Sequence, residues 1–342
     1  MMSERKILKR ESLDELLNRV LAAGRRVLAP RKKEAVGVDF DTISSPNEID
    51  RDHVQSIQSP KFLLFPKVEE LLGFVDRGEG LQIRQRDPQE FPETVLFGVR
   101  PCDAVALETL TFFFSHEHPE ASLIEKRKKL TVIGLSCASA DNDCFCTSVN
   151  GSPGDSRGSD ILLTRLDSGD YLVEIVTAKG QNLAASFADL FTPAGSEDKE
   201  SYLAKLEQRF SSEQVTQKIS ALFHRDEFWQ ELSLRCLGCG LCAYVCPLCF
   251  CFDIQDEGRR DDGRRLRCWD SCGFALFTRH ASGHNPRDKQ SQRWRQRLMH
   301  KFSYLPEQLK LLGCVGCGRC SRACPAGMNI LEQLLTIREV QP

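Results

Sequence analysis

The chain has 342 residues, sixteen cysteines, 41% hydrophobic and 27% charged residues, a formal net charge of -2 and a pI of about 6.4. That length sets an expectation of about two or three domains, each able to bury its own core. The near-neutral balance supplies no global field for nucleic acid or an anionic membrane, and no apolar run approaches the ~18 residues of a membrane span.

The N-terminal "MMSERKILKRESLDELL" lacks the apolar centre of a signal peptide, so the expected location is the cytoplasm. Residues 12–30 carry an amphipathic pattern that predicts a helix stopping at "APRKK". Residues 31–60 are polar and weakly patterned and read as a loop-rich wrap. "KFLLFPKVEELLGF" (61–74) reads as a short strand, a proline break and a helix. "ETVLFGV" (93–99) and "LTVIGLS" (130–136) are β-branched, apolar and of strand length. "DAVALETLTFFF" between them has helical period, which predicts a β-α-β unit with parallel strands. "NGSPGDSRGSD" (150–160) is a turn-rich loop, and "DILLTRL" with "YLVEIVT" predicts a hairpin closing at 167–170. Residues 200–232 are charged and helical in pattern, and they lead into a cysteine-rich half.

In that half Cys236, Cys239, Cys242 and Cys246 follow Cys-x2-Cys-x2-Cys-x3-Cys, with Pro247 next. Cys314, Cys317, Cys320, Cys324 and Pro325 repeat the pattern. Reduced thiols in such numbers read as metal ligands rather than disulfides. A zinc site pairs two short Cys elements across a gap, whereas a third-residue triplet followed by Cys-Pro is the bacterial ferredoxin run. Its fourth cysteine ligates the other cluster. The expected sets are therefore Cys236, Cys239, Cys242 and Cys324 for one [4Fe-4S] cluster, and Cys314, Cys317, Cys320 and Cys246 for the second. "GCGLCA" (238–243) formally matches a dinucleotide fingerprint, but its cysteines are cluster ligands and its glycines serve the tight turns around them.

Eight cysteines remain. Cys102 and Cys137 directly follow the two predicted parallel strands, at the sheet edge where open α/β folds build sites, and Cys144 and Cys146 follow in a polar loop. The four define an expected third iron-sulfur site, against the plain reading of small core residues. Residues 247–313 separate the two runs and read as a helix-bearing insert. Its Cys249, Cys251, Cys268 and Cys272 could hold a further cluster or line the existing ones. His280 and His284 are spaced to share a helix face, though without a nearby acidic ligand they read as structural. "NPRDKQSQRWRQRLMHK" (285–301) is a basic helix, either a solvated face or a source of cations against anionic clusters.

"SPKFLLFP", "GVRPCDAVAL", "CFCTS", "RCLGCGLCAYVCP", "RCWDSC", "SGHNPR", "HKFSY" and "CVGCGRC" together resemble the beta-subunit family of soluble sulfhydrogenases, which also takes in one of the subunits of anaerobic sulfite reductase. The resemblance runs from about residue 59 to 330, and residues 1–58 are left without a role. The strand and helix pattern predicts an α+β fold with an N-terminal α/β domain over 1–228, and the resemblance implies that 229–342 is an α-helical ferredoxin-like dicluster domain. It also implies a non-catalytic electron-transfer subunit of an oxidoreductase complex. Such a subunit works between a flavoprotein NAD(P)-binding subunit and a hydrogenase, sulfite reductase or heterodisulfide reductase partner. The alternatives are a self-contained reductase of sulfur compounds and a cysteine-rich zinc protein that binds nucleic acid.

Overall fold

Runs of β-branched and apolar residues buried on both faces form the centre of a large sheet, and two such runs, Thr94–Val99 and Leu130–Leu135, are buried at every position. The computed structural model describes residues 4–34, 37–76, 78, 80–85, 87, 90–259 and 261–341. Their strands are β1 (Glu4–Leu8), β2 (Arg26–Lys33), β3 (Gly37–Thr42), β4 (Val68–Asp76), β5 (Leu81–Arg84), β6 (Thr94–Val99), β7 (Leu130–Leu135), β8 (Ile161–Arg165), β9 (Tyr171–Ile175), β10 (Phe191–Pro193), β11 (Phe252–Arg259) and β12 (Asp262–Trp269). The helices are α1 (Arg10–Ala22), α2 (Pro101–Ser115), α3 (Ala121–Lys128), α4 (Ala178–Ser186), α5 (Ser212–Ala221), α6 (Asp226–Leu232), α7 (Leu241–Tyr244), α8 (Gln290–Met299), α9 (Leu305–Leu309), α10 (Arg319–Arg322) and α11 (Ile330–Glu339).

The large sheet has the order β10-β1-β9-β8-β7-β6-β2-β3. Strands β2, β6, β7 and β8 are parallel neighbours, and the expected β-α-β unit is β6-α2-α3-β7. The expected hairpin is β8-β9, closed by the Leu166 amide donating to the Asp170 carbonyl. Side chains alternate across the sheet. Val95, Phe97, Ile133 and Leu135 meet α1 and α4 on one face, while Leu96, Leu130 and Val132 meet α2 and α3 on the other.

Three local readings differ from the structure. The first helix ends at Ala22 instead of residue 30, because Gly24 turns left-handed (φ 77°) and Val27 and Leu28 pair in parallel with β6. Residues 31–60 are not all loop, since Lys32 and Lys33 extend β2 and Gly37–Thr42 pairs with it as β3. Residues 68–76 are strand rather than helix, and residues 60–63 form a 3-10 turn rather than a strand. "VEELL" has helical period locally, but β12 pairs along its length and tertiary pairing overrides the local pattern.

The strand that pairs with β4 lies in the insert between the two cysteine runs. The insert opens with the β11-β12 hairpin and only later forms α8, and the smaller sheet has the order β11-β12-β4-β5. It draws strands from both sides of residue 228. Where it meets α3, the buried carboxylate of Glu69 takes Lys126 and Arg267 together, and Arg267 also reaches Glu120 at 3.2 Å. Burial pushes the Glu69 carboxyl up, and the two cations outweigh it, so its pKa lies below the ordinary value. Glu69→Ala leaves two buried cations without their shared partner, and the expected loss is about 3–5 kcal/mol in denaturant unfolding of the full chain. The stabilisation is present at neutral pH and disappears as pH falls through the depressed pKa, so the gap between wild type and variant narrows in acid.

Candidate metal centres

Each ferredoxin run contains two glycines that turn left-handed: Gly238 (φ 68°) and Gly240 (φ 73°) in the first, Gly316 (φ 66°) and Gly318 (φ 70°) in the second. Each run then enters a one-turn helix, α7 or α10. The repeat seen in sequence is thus a repeat of backbone. A Cβ on Gly240 would lie 2.4 Å from the Phe274 ring, and one on Gly316 would lie 2.5 Å from the Cys146 amide nitrogen. These glycines are needed for φ and for space together.

Cys236, Cys239 and Cys242 of the first run, Cys320 and Cys324 of the second, and Cys272 of the insert line one cavity, walled by Trp294, Arg297, Met328 and Ile330. Cys246 packs instead with Cys317 and Val315 beside Ala106 and Leu110 of α2. Lys301 lies among the second set, donating to Cys246 Sγ at 3.3 Å and to the Gly313 carbonyl at 2.6 Å. Burial pulls the Lys301 ammonium down, but nearby Cys246, Cys249 and Cys314 outweigh it and hold its pKa above the ordinary value. Burial pushes the Cys314 thiol up to about 12 and the Cys320 thiol to about 11.

The residues fit anionic iron-thiolate clusters. Arg297, 3% exposed, donates to Cys249 Sγ at 3.2 Å and to the Cys242 carbonyl at 2.9 Å, and its Nε is buried with no partner among the described residues. A buried guanidinium edge facing thiols is costly unless negative charge is present to receive it. Arg293 and Trp294 of the same helix are also buried, so the basic segment 285–301 turns cations inward rather than offering a solvated face.

Of the insert cysteines, Cys249, Cys251 and Cys272 line a second cavity with Arg297, His300 and Lys301. Cys268 is not among its lining residues; it lies on β12 opposite Asp253 and Val68. Lys61 closes the inner side, donating to the Cys249 carbonyl at 2.7 Å and the Ala243 carbonyl at 3.2 Å, with its ammonium 4.1 Å from the Trp269 ring centre. Burial pulls the Lys61 ammonium down to about 8. His280 and His284 stack edge to face, with ring centres 5.4 Å apart. Among the described residues, no three His, Cys, Asp or Glu side chains are grouped so as to hold a single metal ion.

Cys102, Cys137, Cys144 and Cys146 line one further cavity at the carboxyl edge of β6 and β7, and Arg100, Gly316 and Cys317 line it too. The quartet is therefore not remote from the ferredoxin runs but lies against the second of them. The Phe145 amide donates to the Gly316 carbonyl at 2.9 Å, and the Phe145 ring is fully buried in the core of the cysteine-rich half.

Sequence reading missed Gln55, Lys61, Arg100 and Arg319, polar residues packed around the cysteines, and left Arg297 and Lys301 between a solvated face and a source of cations. Arg297 and Lys301 sit four apart on one continuous helical path, and their burial was the missing signal. Arg319 donates to Asp103 at 2.8 and 2.5 Å, to the Ser56 carbonyl at 2.8 Å and to Gln55 Oε1 at 2.9 Å. Residues 55 and 56 fall in the stretch to which sequence reading gave no role.

Two ferredoxin-type cysteine runs folded against each other around buried cations define an iron-sulfur electron-transfer protein. Residues 235–328 match the 4Fe-4S dicluster domain family, which indicates two [4Fe-4S] clusters and sets aside the zinc-protein alternative. The chain is 30% identical over 340 residues to sulfhydrogenase 2 subunit beta of Pyrococcus furiosus, covering 96% of this chain and 97% of that protein. It belongs to the sulfhydrogenase beta-subunit family. The match extends beyond residues 59–330 into the N-terminal stretch. Among the described residues, no helix is long and apolar enough to cross a membrane.

The two kinds of glycine constraint separate experimentally. Gly24 has positive φ but open space at its Cβ position, whereas Gly316 has positive φ and backbone at 2.5–2.6 Å. Gly24→Ala should cost about 1 kcal/mol, the ordinary penalty of an L-residue in that region. Gly316→Ala should cost distinctly more and lower the iron content, because the 144–146 loop must move. Equal unfolding free energies for the two variants would contradict this packing.

Proposed function

We propose that the chain is the electron-relay subunit of a multi-subunit cytoplasmic redox complex. It is set between a flavoprotein subunit that handles NAD(P)H and a catalytic partner of hydrogenase, sulfite reductase or heterodisulfide reductase type. The observation that carries the reading is that the two runs fold against each other: thiols of both line the first cavity, and Cys246 of the first run packs with Cys317 of the second. The relative's name supports membership of a complex, since it is itself a subunit. The proposed ligand sets are Cys236, Cys239, Cys242 and Cys324 for one cluster, and Cys246, Cys314, Cys317 and Cys320 for the other.

Bound [4Fe-4S] clusters supply one-electron carriage without making or breaking a substrate bond. The chain's own residues hold, insulate and bias. Trp294, Met328 and Ile330 exclude water from the first cavity, and Arg297 and Lys301 place fixed positive charge beside the thiols. Positive charge and donated hydrogen bonds favour the reduced, more anionic state, which raises the potential. The role asks for no general base or nucleophile.

The ligand scheme is tested by Cys246→Ala in the full chain. The variant should disturb the electron paramagnetic resonance signal of the C-terminal run and leave that of the Cys236 set. Disturbance confined to the Cys236 set would overturn that scheme. Arg297→Met should lower a cluster midpoint potential in anaerobic redox titration, and an unchanged potential would remove the guanidinium from that role. The isolated, flavin-free chain should accept electrons from dithionite and should not oxidise NADH; measured NADH turnover would sink the relay reading.

A further inference from the structure

The cavity at the edge of the large sheet borders Cys317 of the second ferredoxin run, and it also gathers four cysteines that a two-cluster relay leaves unused, Cys102, Cys137, Cys144 and Cys146. We infer that these four cysteines hold a third [4Fe-4S] cluster, seated between the carboxyl edge of the large sheet and the C-terminal ferredoxin run. This goes beyond the dicluster reading and leaves that reading intact if it fails.

The fold delivers the thiols from three places. Cys102 stands in the first turn of α2 just after β6, Cys137 follows β7, and Cys144 and Cys146 bracket the anchored Phe145. All four are free thiols, so no disulfide explains their meeting. A packing role explains them poorly as well. Cys144 sits in a polar loop whose Asp141 accepts from the Cys144 and Asp143 amides and pairs with Arg322 at 2.7 Å. Asp143 accepts from Asn329 at 3.0 Å, so the loop is fixed to the C-terminal run on two sides.

A second observation points to a ligand. Arg100 lines the cavity at 7% exposure; its two terminal nitrogens donate to the Ser136 and His53 carbonyls, and its Nε is buried without a partner among the described residues. A donor buried in that way is costly unless an acceptor fills the space. The sulfurs of an anionic cluster supply one. A single ion such as zinc does not suit the quartet, because one ion draws its four ligands within about 2.3 Å of itself and no such grouping exists among the described residues. A four-iron cluster takes one thiolate on each iron and so accepts wider spacing. On ligation each thiol gives up its proton.

Gln55 gives the site its place in the relay. Its Nε2 donates to Cys102 Sγ at 3.4 Å and to the Cys317 carbonyl at 3.4 Å, so one side chain spans the quartet and the second ferredoxin run. The third cluster would extend the electron path from that run to the edge of the N-terminal sheet.

The test uses the full chain purified anaerobically with its clusters. Cys144→Ala/Cys146→Ala should remove about four iron and four sulfide per chain, while signals of the two ferredoxin-run clusters persist. Wild-type iron in a folded double variant would overturn the proposal. Thiol alkylation followed by peptide mapping serves if the variant does not fold. In the wild-type holoprotein Cys102, Cys137, Cys144 and Cys146 should be protected until a chelator strips the iron. Alkylation of Cys144 and Cys146 at equal rates before and after stripping, with the eight ferredoxin-run cysteines protected until stripping, would remove the third cluster and leave the relay standing. Absence of iron from every site would instead defeat the relay reading itself.

Discussion

The buried pair of Arg319 and Asp103 holds the molecule's two chemistries in one frame. Both side chains are within 1% of full burial, and the guanidinium makes two hydrogen bonds to the carboxylate. Removing two charges from water costs several kcal/mol each, and the cost is offset only where geometry is good and the remaining donors are satisfied. Here Ser56 and Gln55 take the other donors. Arg319 lies inside the second cysteine run and Asp103 follows Cys102, so the pair fixes the distance between the sheet edge and that run. Such a pair adds little net stability over an apolar replacement, but breaking it by removing either partner strands a buried charge.

A second constraint follows from the thiols themselves. Burial first, and then neighbouring thiols and carboxylates, push Cys314, Cys320, Cys144 and Cys146 up to about 11 or 12, so these groups are poor anions until positive charge arrives. The chain supplies part of that charge in advance through Arg297, Lys301, Lys61 and Arg100, each of which is buried. Their own desolvation is tolerable only beside negative charge. Cations and thiols are therefore stable as one unit, and this is why metal loading and local folding are coupled in such sites.

The two ferredoxin runs were legible because ligand spacing is a local, chemical signal. Strands β6 and β7 and helix α2 were legible because burial on both faces leaves unbroken apolar runs. Strand β4 was not, since Glu69, Glu70, Leu71 and Leu72 have helical period and only pairing with distant β12 makes them extended. The β11-β12 hairpin hid for a related reason. Strand β11 is exposed throughout, its apolar alternation stops after Phe252 and Ile254, and beyond them the pairs Glu257 with Arg264 and Asp256 with Arg265 are ionic. The cations around the thiols were read as a basic stretch because sequence gives charge but not the direction in which a helix faces.

Electron relay asks for carriers that are close together, held rigidly and shielded from water, with access only where a partner must approach. The chain meets the first demand by folding each repeat against the other and by wedging the Phe145 loop against Gly316. It meets the second unevenly. Cys246 and Cys317 of the second set are buried, whereas Cys239 of the first run is exposed and is flanked by the exposed side chains of Leu237 and Leu241. Burial therefore rises from the mouth of the first run inward to the second set, which lies against α2 through Ala106 and Leu110. A steep change in shielding across one domain sets different dielectric surroundings for two sites with the same ligand type, and surroundings are what separate the potentials of otherwise equivalent clusters.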